Sequence, residues 1–374
     1  ADKDELAWDL GDPTGSMENN PNPIIVGPII DPDFHPMKGP MTTQTLRGMA
    51  NHGPMHWRGD RTGGNDPGGD PLDEDVAFKK FNPAFVGLLG RDAELTAAEM
   101  QSFTDYILQV TPPPNPVRAL DNSLTAMQAA GETFYFNQNV DGGTCNSCHT
   151  LAPAAGFFGT AGNSTFEGET QIFKVAMLRN MYEKVGMFGM PGVQFFNQGD
   201  NDHKGDQIRG FGYTHDGSVD TLERFFNAVV FQFSNGGQGD TQRRNMEQFM
   251  FAFDSNLKPI VGQQVTLTDT SGTDIDDRVD LLVARSAAGD AELVVKGAVA
   301  NELRGWLRQS DGSFQSDKAG ESPWTEQALR AAADNPGQEL TFTAVPAGTG
   351  HRIALDRDRD TVLNGDDNCV ADPN

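Results

Sequence analysis

The stretch "CNSCHT" at residues 145–150 decides how the rest of the chain is interpreted. C-x-x-C-H is the attachment pattern of a c-type haem, in which two thiols three positions apart add to the two vinyl groups of one porphyrin. The histidine that follows is then placed under the iron as the proximal ligand. We therefore expect Cys145, Cys148 and His149 to hold one covalent haem.

Two other kinds of site use cysteines at this spacing, a redox-active pair and half of a zinc site. A zinc site needs two further ligands, and no second Cys/His pair with zinc spacing occurs in the sequence. A thioredoxin-like pair stands between a strand and a helix, whereas this motif lies in the Gly-rich segment "NQNVDGGTCNSCHTLAPAAG". Three cysteines are too few for a small disulfide-held fold. If two of them bind haem, we expect Cys369 to pair with an upstream segment or another molecule.

Length, charge and hydrophobic pattern indicate the number of domains and the chemistry of the partners. A chain of 374 residues predicts two or three domains. Its formal net charge of −25 repels nucleic acid and anionic membranes and favours a basic redox partner protein. The longest apolar runs are too short to cross a bilayer. We therefore expect no nucleic-acid partner and no transmembrane segment.

Two features predict a periplasmic or extracellular protein. Covalent haem attachment takes place outside the cytoplasm, so a chain that carries the motif is expected to be exported. The sequence also begins at Ala1 rather than at a methionine, as a processed product would.

An internal repeat runs through the first part of the chain. "TLRGMANHGPMHW" at 45–57 resembles "MLRNMYEKVGMFG" at 177–189, with an offset of 132 residues. Helix-like patterns accompany the two copies. In "ELTAAEMQSFTDYILQV", Thr96 followed by Glu99 is a capping-box pattern. "LTAMQAAGETFYFN" predicts a short helix just before the haem motif, and "TQRRNMEQFMFAF" predicts a later one.

Helix, C-x-x-C-H, loops, ligand segment and terminal helix form the order of a small cytochrome c domain. Together with "FKVAMLRNMYEKVGMFG…GFGYTHDGSVDTLERFF", this order resembles the bacterial di-haem cytochrome c peroxidase and MauG-like family over residues 36–255. The resemblance implies a mainly α fold built from a cytochrome c-like tandem. The residues after 255, described below, predict that a small β-rich or α+β domain follows it. The repeat offset would place a first C-x-x-C-H at 13–17, which reads "PTGSM". The first copy therefore lacks its motif, and either that haem was lost or the chain is the C-terminal piece of a longer precursor.

Met187 is the first candidate for the sixth iron ligand. It lies 38 residues after His149, in the Gly-flanked turn "VGMFGMPG". A thioether opposite a histidine gives a closed, higher-potential electron-transfer haem. Met55 occupies the same place in the first copy, although a methionine that only fills the core is the alternative. Met190 and His215 are the other candidates, and His215 in "THDGS" could instead serve at the haem edge or in a local turn.

Other residues are assigned from their neighbours in the sequence. Arg179 is a candidate bidentate donor to a haem propionate, with a surface salt bridge as the alternative. His56 and Trp57 would line a first haem if the chain had one and are otherwise core and turn residues. Four histidines show no partner pattern, and we interpret them as ordinary: His35, His52, His203 and His351.

The last third has a different character. "QQVTLTD", "RVDLLVARS", "AELVVKGAVA" and "ELTFTAVP" predict strands, because they are rich in β-branched residues. "GWLRQSDGSFQSD" predicts a hairpin with a Gly turn. "SPWTEQALRAAADN" predicts a helix with Ser322 as its cap and Pro323 at its first position.

An acidic segment, "DRDRDTVLNGDDNC", closes the chain and predicts a calcium loop. The oxygen donors fall at positions 1, 3, 5, 7, 9 and 12 of such a loop, in the order Asp356, Asp358, Asp360, Val362 (through its carbonyl), Asn364 and Asp367. Thr361 replaces the glycine usual at position 6. The trailing "DNC" resembles a thrombospondin type 3 repeat, in which that cysteine is in a disulfide. The alternative is an acidic solvated tail.

These observations predict four segments. A degenerate cytochrome c-like half spans 1–115, a mono-haem cytochrome c domain spans 116–255, a β-rich or α+β domain spans 256–355, and a calcium-binding tail spans 356–374. The favoured function is an electron carrier with His/Met ligation. One alternative is a di-haem peroxidase or MauG-like oxidase whose first haem lies in a missing segment or partner chain. The other is a calcium-dependent extracellular assembly cytochrome.

Overall fold

A computed structural model describes residues 3–4, 6–25, 30–166, 171–186 and 209–373. The chain divides into two compact units, each made of two stretches of sequence. Unit 1 comprises Ala1–Arg118 and Leu124–Asn256, and unit 2 comprises Ala119–Ser123 and Leu257–Asn374. The finer division into four segments stays a prediction.

The expectation of a mainly α protein is wrong. Helices account for only 27% of the described residues and strands for 15%, and the strands include a five-stranded antiparallel sheet. The physical reason is the difference in amino-acid composition between the two units. Unit 1 is rich in Gly and Pro loops that break helices, while β-branched runs after residue 257 pair with one another.

Unit 1 contains seven helices among its described residues. They are α1 Glu74–Lys79, α2 Asn82–Gly87, α3 Ala97–Ile107, α4 Ala126–Asn137, α5 Cys145–Cys148, α6 Leu222–Phe225 and α7 Gly237–Phe251. Short two-residue strands pair between the helices: β1 Ala7–Trp8 with β2 Met41–Thr42, β3 Leu151–Ala152 with β4 Phe157–Phe158, β5 Ser164–Thr165 with β6 Phe173–Lys174, and β7 Val185–Gly186 in parallel with β8 Arg209–Gly210. None of the described helices is both long and apolar enough to span a bilayer.

Helix α3 confirms the helix predicted from its capping box. The Thr96 side chain accepts a hydrogen bond from the Glu99 backbone N–H, and the Glu99 side chain accepts one from the Thr96 backbone. These bonds satisfy backbone donors that the first turn would leave open. Met100 and Ile107 of this helix are buried in a small core with Phe78.

The close packing of α4 on α7 forms the centre of unit 1. Gly131 makes it possible, because a Cβ atom there would lie 2.1 Å from the backbone oxygen of Asn245 and 2.7 Å from the Cβ of Phe249. Around this contact Tyr135, Phe249 and Phe253 are fully buried, with ring centroids 5.4–5.7 Å apart. The helices therefore present an aromatic core immediately before the C-x-x-C-H turn.

Glu247 is buried on α7, and burial raises the pKa of its carboxyl to about 7. Because this pKa is higher than in the unfolded chain, folding is penalised increasingly as the pH rises from about 4.5 to about 7, and the penalty is complete above that range. We expect Glu247→Gln to stabilise the protein by up to about 3 kcal/mol at pH 8 and to have no effect below about pH 4. Urea unfolding at both pH values measures this, with the exposed Glu339→Gln as the control. A gain that is equal at both pH values would contradict the assignment.

Unit 2 is an antiparallel sheet with the strand order β12-β11-β10-β13-β9. The strands are β9 Gln264–Leu267, β10 Glu292–Val299, β11 Glu302–Arg308, β12 Phe314–Ser316 and β13 Leu340–Val345, and the helices are α8 Thr273–Ala287 and α9 Glu326–Ala333. Strands β9, β10 and β13 and the β11–β12 hairpin confirm the sequence predictions. The helices pack on one face over Trp306 and Phe342, and the π-helical turn His351–Leu355 packs on the other.

Two local predictions in unit 2 are wrong. The segment "RVDLLVARS" is not a strand but part of α8, where Val279 and Leu282 are buried three residues apart on one helix face. The cap of α9 is Thr325 rather than Ser322, because the Thr325 hydroxyl accepts from the Ala328 N–H at 3.1 Å. Trp324 still pairs as extended chain with Phe314, so the helix cannot begin earlier.

Candidate functional site

The C-x-x-C-H motif forms the single helical turn α5. The His149 N–H donates to the Cys145 carbonyl at 2.8 Å, which closes the turn. Residues three apart in a helix lie on the same face, so Cys145 and Cys148 face the same side. The three cysteines, all of them described, form no disulfide, and both thiols of the motif are half-buried. The turn thus directs two thiols toward the same side, as attachment to one planar group requires.

The His149 ring is oriented by two backbone carbonyls. Its Nδ1 lies 2.9 Å from the Gly159 oxygen and 2.9 Å from the Ala176 oxygen. Only a protonated Nδ1 can donate to a carbonyl, so the neutral ring carries its lone pair on Nε2. This nitrogen has no hydrogen-bond partner among the residues the structure describes. An Nδ1–H fixed by a carbonyl is the usual support of a metal-bound histidine. Burial lowers the pKa of His149, which favours the neutral ligand form.

Tyr135 fixes the backbone at the same residue. Its hydroxyl donates to the His149 carbonyl, and its side chain is completely buried against α7. Burial raises its pKa above the usual value for tyrosine, so the hydroxyl stays protonated and remains a donor. The position of the motif histidine therefore depends on the α4–α7 core as well as on its own loop.

The environment of Cys145 does not suit a redox-active thiol pair. Burial raises the pKa of this thiol to about 12, with a smaller contribution from Cys148. Reactive C-x-x-C pairs instead have a thiol pKa below the free value, because only the thiolate attacks a disulfide. The raised pKa of Cys145 therefore argues against a redox-active pair.

Arg179 is buried close to the haem motif without a carboxylate partner among the described residues. It is 1% exposed, and its guanidinium donates to the Gly48 carbonyl at 2.6 Å, to the Asn256 side chain and to the Met177 sulfur. Its charge lies 4.6 Å from the ring centre of Phe158, the residue before Gly159. Burial lowers its pKa to about 10. A surface salt bridge is not what the structure shows for this residue.

The residues present therefore fit a covalent haem. Cys145 and Cys148 offer the thioether sulfurs, the Nε2 of His149 offers the axial lone pair, and Arg179 supplies a buried positive charge that a propionate would neutralise. An uncompensated buried charge is costly, so an anionic group near Arg179 would stabilise the folded chain.

Of the three candidates for the sixth iron ligand, only His215 lies among the described residues. Met187 and Met190 lie outside the described residues, so their assignment stays a prediction. The ring of His215 stacks on that of Phe173, with centroids 4.4 Å apart. Phe173 lies three residues before Ala176, whose carbonyl accepts from His149. The structure thus places His215 against β6, close in sequence to one of the two carbonyls that orient the His149 ring.

The acidic C-terminal segment folds as a compact loop. Carboxylate oxygens of Asp356, Asp358 and Asp360 lie within 4.8 Å of one another. Partial burial and the neighbouring carboxylates raise the pKa of Asp358. Its Oδ2 is buried and has no hydrogen-bond partner among the residues that the structure describes. The Asn364 side-chain oxygen is within the same loop, where it accepts from the Arg357 N–H at 2.9 Å. Asp367 accepts from the Cys369 N–H at 2.7 Å.

Thr361 has the backbone conformation that the missing glycine would adopt. Its φ is +80°, in the left-handed region, and its N–H donates to the Asp356 carboxylate at 3.2 Å. A β-branched residue in this region costs on the order of 1–3 kcal/mol. Threonine in place of glycine therefore raises the free energy of the folded loop without changing its backbone geometry. Val362 follows it, with its N–H donating to Asp360 at 2.8 Å.

A cavity of about 320 Å³ opens in unit 1. Its wall comes largely from the first copy of the repeat, including His56 and Trp57, and includes Ala176 of the His149 support. Two functional candidates in it, His52 and Lys174, were missed by sequence reasoning, which treated His52 as ordinary. No sequence signal marks them, because residues 52 and 174 are distant in the chain.

Comparisons with known proteins add little to this geometry. No family model matches the chain, and no curated protein matches it. Among solved structures, a chain of hydrazine synthase from Kuenenia stuttgartiensis, determined under xenon pressure, is similar with a TM-score of 0.36 and 17% identity. The alignment covers 67% of this chain and 77% of that chain. A likeness at this TM-score supports no conclusion about fold or function, and the resemblance to the peroxidase and MauG-like family stays a prediction.

Proposed function

We propose that the protein is an exported c-type cytochrome that carries one covalent haem and transfers electrons. The observation that carries this proposal is the support of His149, whose Nδ1 lies 2.9 Å from two backbone carbonyls while Nε2 remains open. This arrangement occurs directly after two adjacent thiols, in the order that covalent haem attachment requires.

In this function the bound haem supplies a one-electron ferric/ferrous couple. The protein residues hold it in place and set its potential. His149 and Met187 would hold its iron, and an iron held by both side chains would not take up exogenous ligands. Arg179 would pair with a haem propionate, which would neutralise its buried charge.

The surface charge favours a basic redox partner. A net charge of −25 attracts cationic surfaces over a distance of about a Debye length, and salt screens this attraction. Electron transfer to a basic partner is therefore expected to slow as the salt concentration rises.

A visible spectrum of the purified chain, recorded oxidised and reduced and with haem quantified, tests the proposal. We expect one haem per chain, low-spin in both states and unchanged by carbon monoxide. A spectral shift with carbon monoxide, or a second haem, would overturn the electron-carrier assignment. It would favour the di-haem peroxidase or MauG-like alternative, whose other haem must come from outside this chain.

We also propose that the C-terminal loop binds one Ca²⁺ ion. The observation that favours it is the close approach of three carboxylates, within 4.8 Å, in the order of a calcium loop. Asp356, Asp358, Asp360, Asn364 and Asp367 would supply side-chain oxygens, and Val362 its carbonyl.

Removal of calcium is expected to destabilise unit 2. Like charges at this distance repel one another unless a cation neutralises them. Calcium at about 100 times its Kd would stabilise the fold by about 2.7 kcal/mol. Thermal unfolding with calcium and with EGTA measures this difference. Asp358→Asn should weaken the response, and the exposed Asp269→Asn should leave it unchanged. An equal melting temperature in both buffers would exclude the site.

The calcium-dependent assembly alternative makes a separate prediction. Cys369 is exposed, and its backbone N–H is held by Asp367 of the loop. If calcium drives assembly, the mass in solution should increase with calcium and decrease with EGTA. An unchanged mass excludes this alternative and leaves calcium with a structural role.

A further inference from the structure

The cavity of unit 1 has the size and the walls of a small-molecule site. Its volume of about 320 Å³ lies at the lower end of the range of about 300–1,000 Å³ for ligand pockets. The lining is largely apolar and aromatic: Leu46, Met49, Met55, Trp57, Phe81 and Val175. A compact ligand with a flat apolar body fits such walls.

The cavity is positively charged in a strongly acidic chain. Among the described residues, its lining holds Lys38, Arg47 and Lys174 but only one carboxylate, that of Asp60. With its histidines neutral the lining carries a net charge of +2, whereas the whole chain carries −25. This difference favours an anionic ligand.

Lys174 supplies one positive charge that no described residue of the cavity pairs with. Lys38 is paired with Asp60 at 2.6 Å, whereas the Lys174 ammonium has no hydrogen bond or ion pair among the described residues. Burial lowers the pKa of Lys174 to about 8, and the charge of Glu74 partly opposes this shift. An anion inside the cavity would restore the stability of the charged lysine.

His52 supplies an unused acceptor. The residue is 3% exposed, and its Nδ1 lies 2.7 Å from the Gly48 carbonyl and 3.4 Å from the Arg179 guanidinium. The carbonyl contact is the shorter one, and a carbonyl can only accept, so it favours the proton on Nδ1. Its Nε2 is buried and has no hydrogen-bond partner in the part of the chain that the structure describes. Burial and then the charges of Arg179 and Lys174 lower the pKa of His52 to about 3, so the ring stays neutral. A buried acceptor without a donor is costly.

We propose that this cavity binds a compact aromatic carboxylate. The carboxylate would pair with the Lys174 ammonium, the ring would lie among Met49, Met55 and Trp57, and a hydroxyl on the ring would donate to the Nε2 of His52.

The position of the cavity connects the ligand to the haem site. Ala176 forms part of the cavity wall, and its carbonyl accepts a hydrogen bond from His149. A bound ligand thus lies next to the residue that orients the proximal histidine. Binding itself does not depend on the haem, so the two proposals can fail independently.

Calorimetric titration of the haem-loaded full chain at pH 6.5 tests the proposal. The probes are benzoate, 4-hydroxybenzoate and the uncharged benzyl alcohol. We expect one site per chain, with benzoate bound at least tenfold more tightly than benzyl alcohol and 4-hydroxybenzoate more tightly still. Lys174→Met should weaken benzoate by about tenfold to a hundredfold, the range for loss of a charged hydrogen bond. Lys296→Met, an exposed lysine of β10, should change nothing.

The comparison of benzoate with benzyl alcohol requires no variant, so the test survives if Lys174→Met does not fold. Equal affinity for the two probes, or no binding of benzoate, would overturn the proposal. Titration with free haemin is the competing experiment. A Soret band that depends on His52, together with no benzoate binding, would assign the cavity to a second haem instead.

Discussion

Replacement of both Cys145 and Cys148 by serine is expected to abolish covalent haem attachment completely. Serine cannot form a thioether, and the two half-buried thiols of α5 face the same side. The measurement is a haem stain of the denatured protein after electrophoresis, with exported protein from cells that attach haem. The stain should be lost while the chain is still produced.

Cys369→Ser is the matched control, because this cysteine lies in unit 2 and should leave the stain unchanged. His149→Ala separates attachment from ligation. It should lose the low-spin spectrum of the haem that remains attached. A stain that persists in the double serine variant would exclude Cys145 and Cys148 as the attachment site.

Gly131→Val is expected to destabilise unit 1 by about 3 kcal/mol or more. Its Cβ would lie 2.1 Å from the Asn245 oxygen, so α4 and α7 must separate. Overpacking a close contact costs about 1–3 kcal/mol and occasionally more. The methyl groups of valine add to this cost, since Phe249 closes the other side. Urea unfolding followed by circular dichroism measures the loss.

Gly87→Ala provides the comparison for this variant. Gly87 is likewise a helical glycine, at the end of the short helix α2. An added Cβ there would meet no atom of the described residues within 4 Å. Alanine should be neutral or slightly stabilising at that position, by up to about 1 kcal/mol. Equal losses for both variants would mean that helix propensity, rather than the α4–α7 contact, determines the result.

Local patterns predicted much of the secondary structure. The capping box of Thr96 and Glu99 and the helix before the motif follow from interactions within a few residues, so the sequence displays them. The same local reading fails for α8. Its valines suggested a strand, but an acidic first turn at Asp274 and Asp276 and a basic last turn at Arg285 favour a helix.

The candidate site likewise has a part that the sequence predicts and a part that it does not. Thiol spacing and the adjacent histidine are visible in five consecutive residues. The surroundings of Arg179, by contrast, include Gly48 and Asn256, which are 131 and 77 residues away in the chain. Long-range packing of this kind leaves no periodic pattern, so the sequence could name Arg179 as a propionate partner but not its burial. The cavity around His52 and Lys174 was unpredictable for the same reason.

Each of the two units is made of two separate stretches of sequence, and this limits where the chain can be truncated. Residues 119–123 belong to unit 2 although both flanking stretches belong to unit 1, so the backbone passes between the units three times. A fragment that starts at Leu257 would lack the Asp121 carbonyl to which Arg285 donates at 2.7 Å. Proteolytic cleavage near residue 256 would likewise divide unit 2, because residues 119–123 would stay on the N-terminal fragment. Subcloning at this boundary divides a folded unit, so truncated versions should be made with residues 119–123 retained.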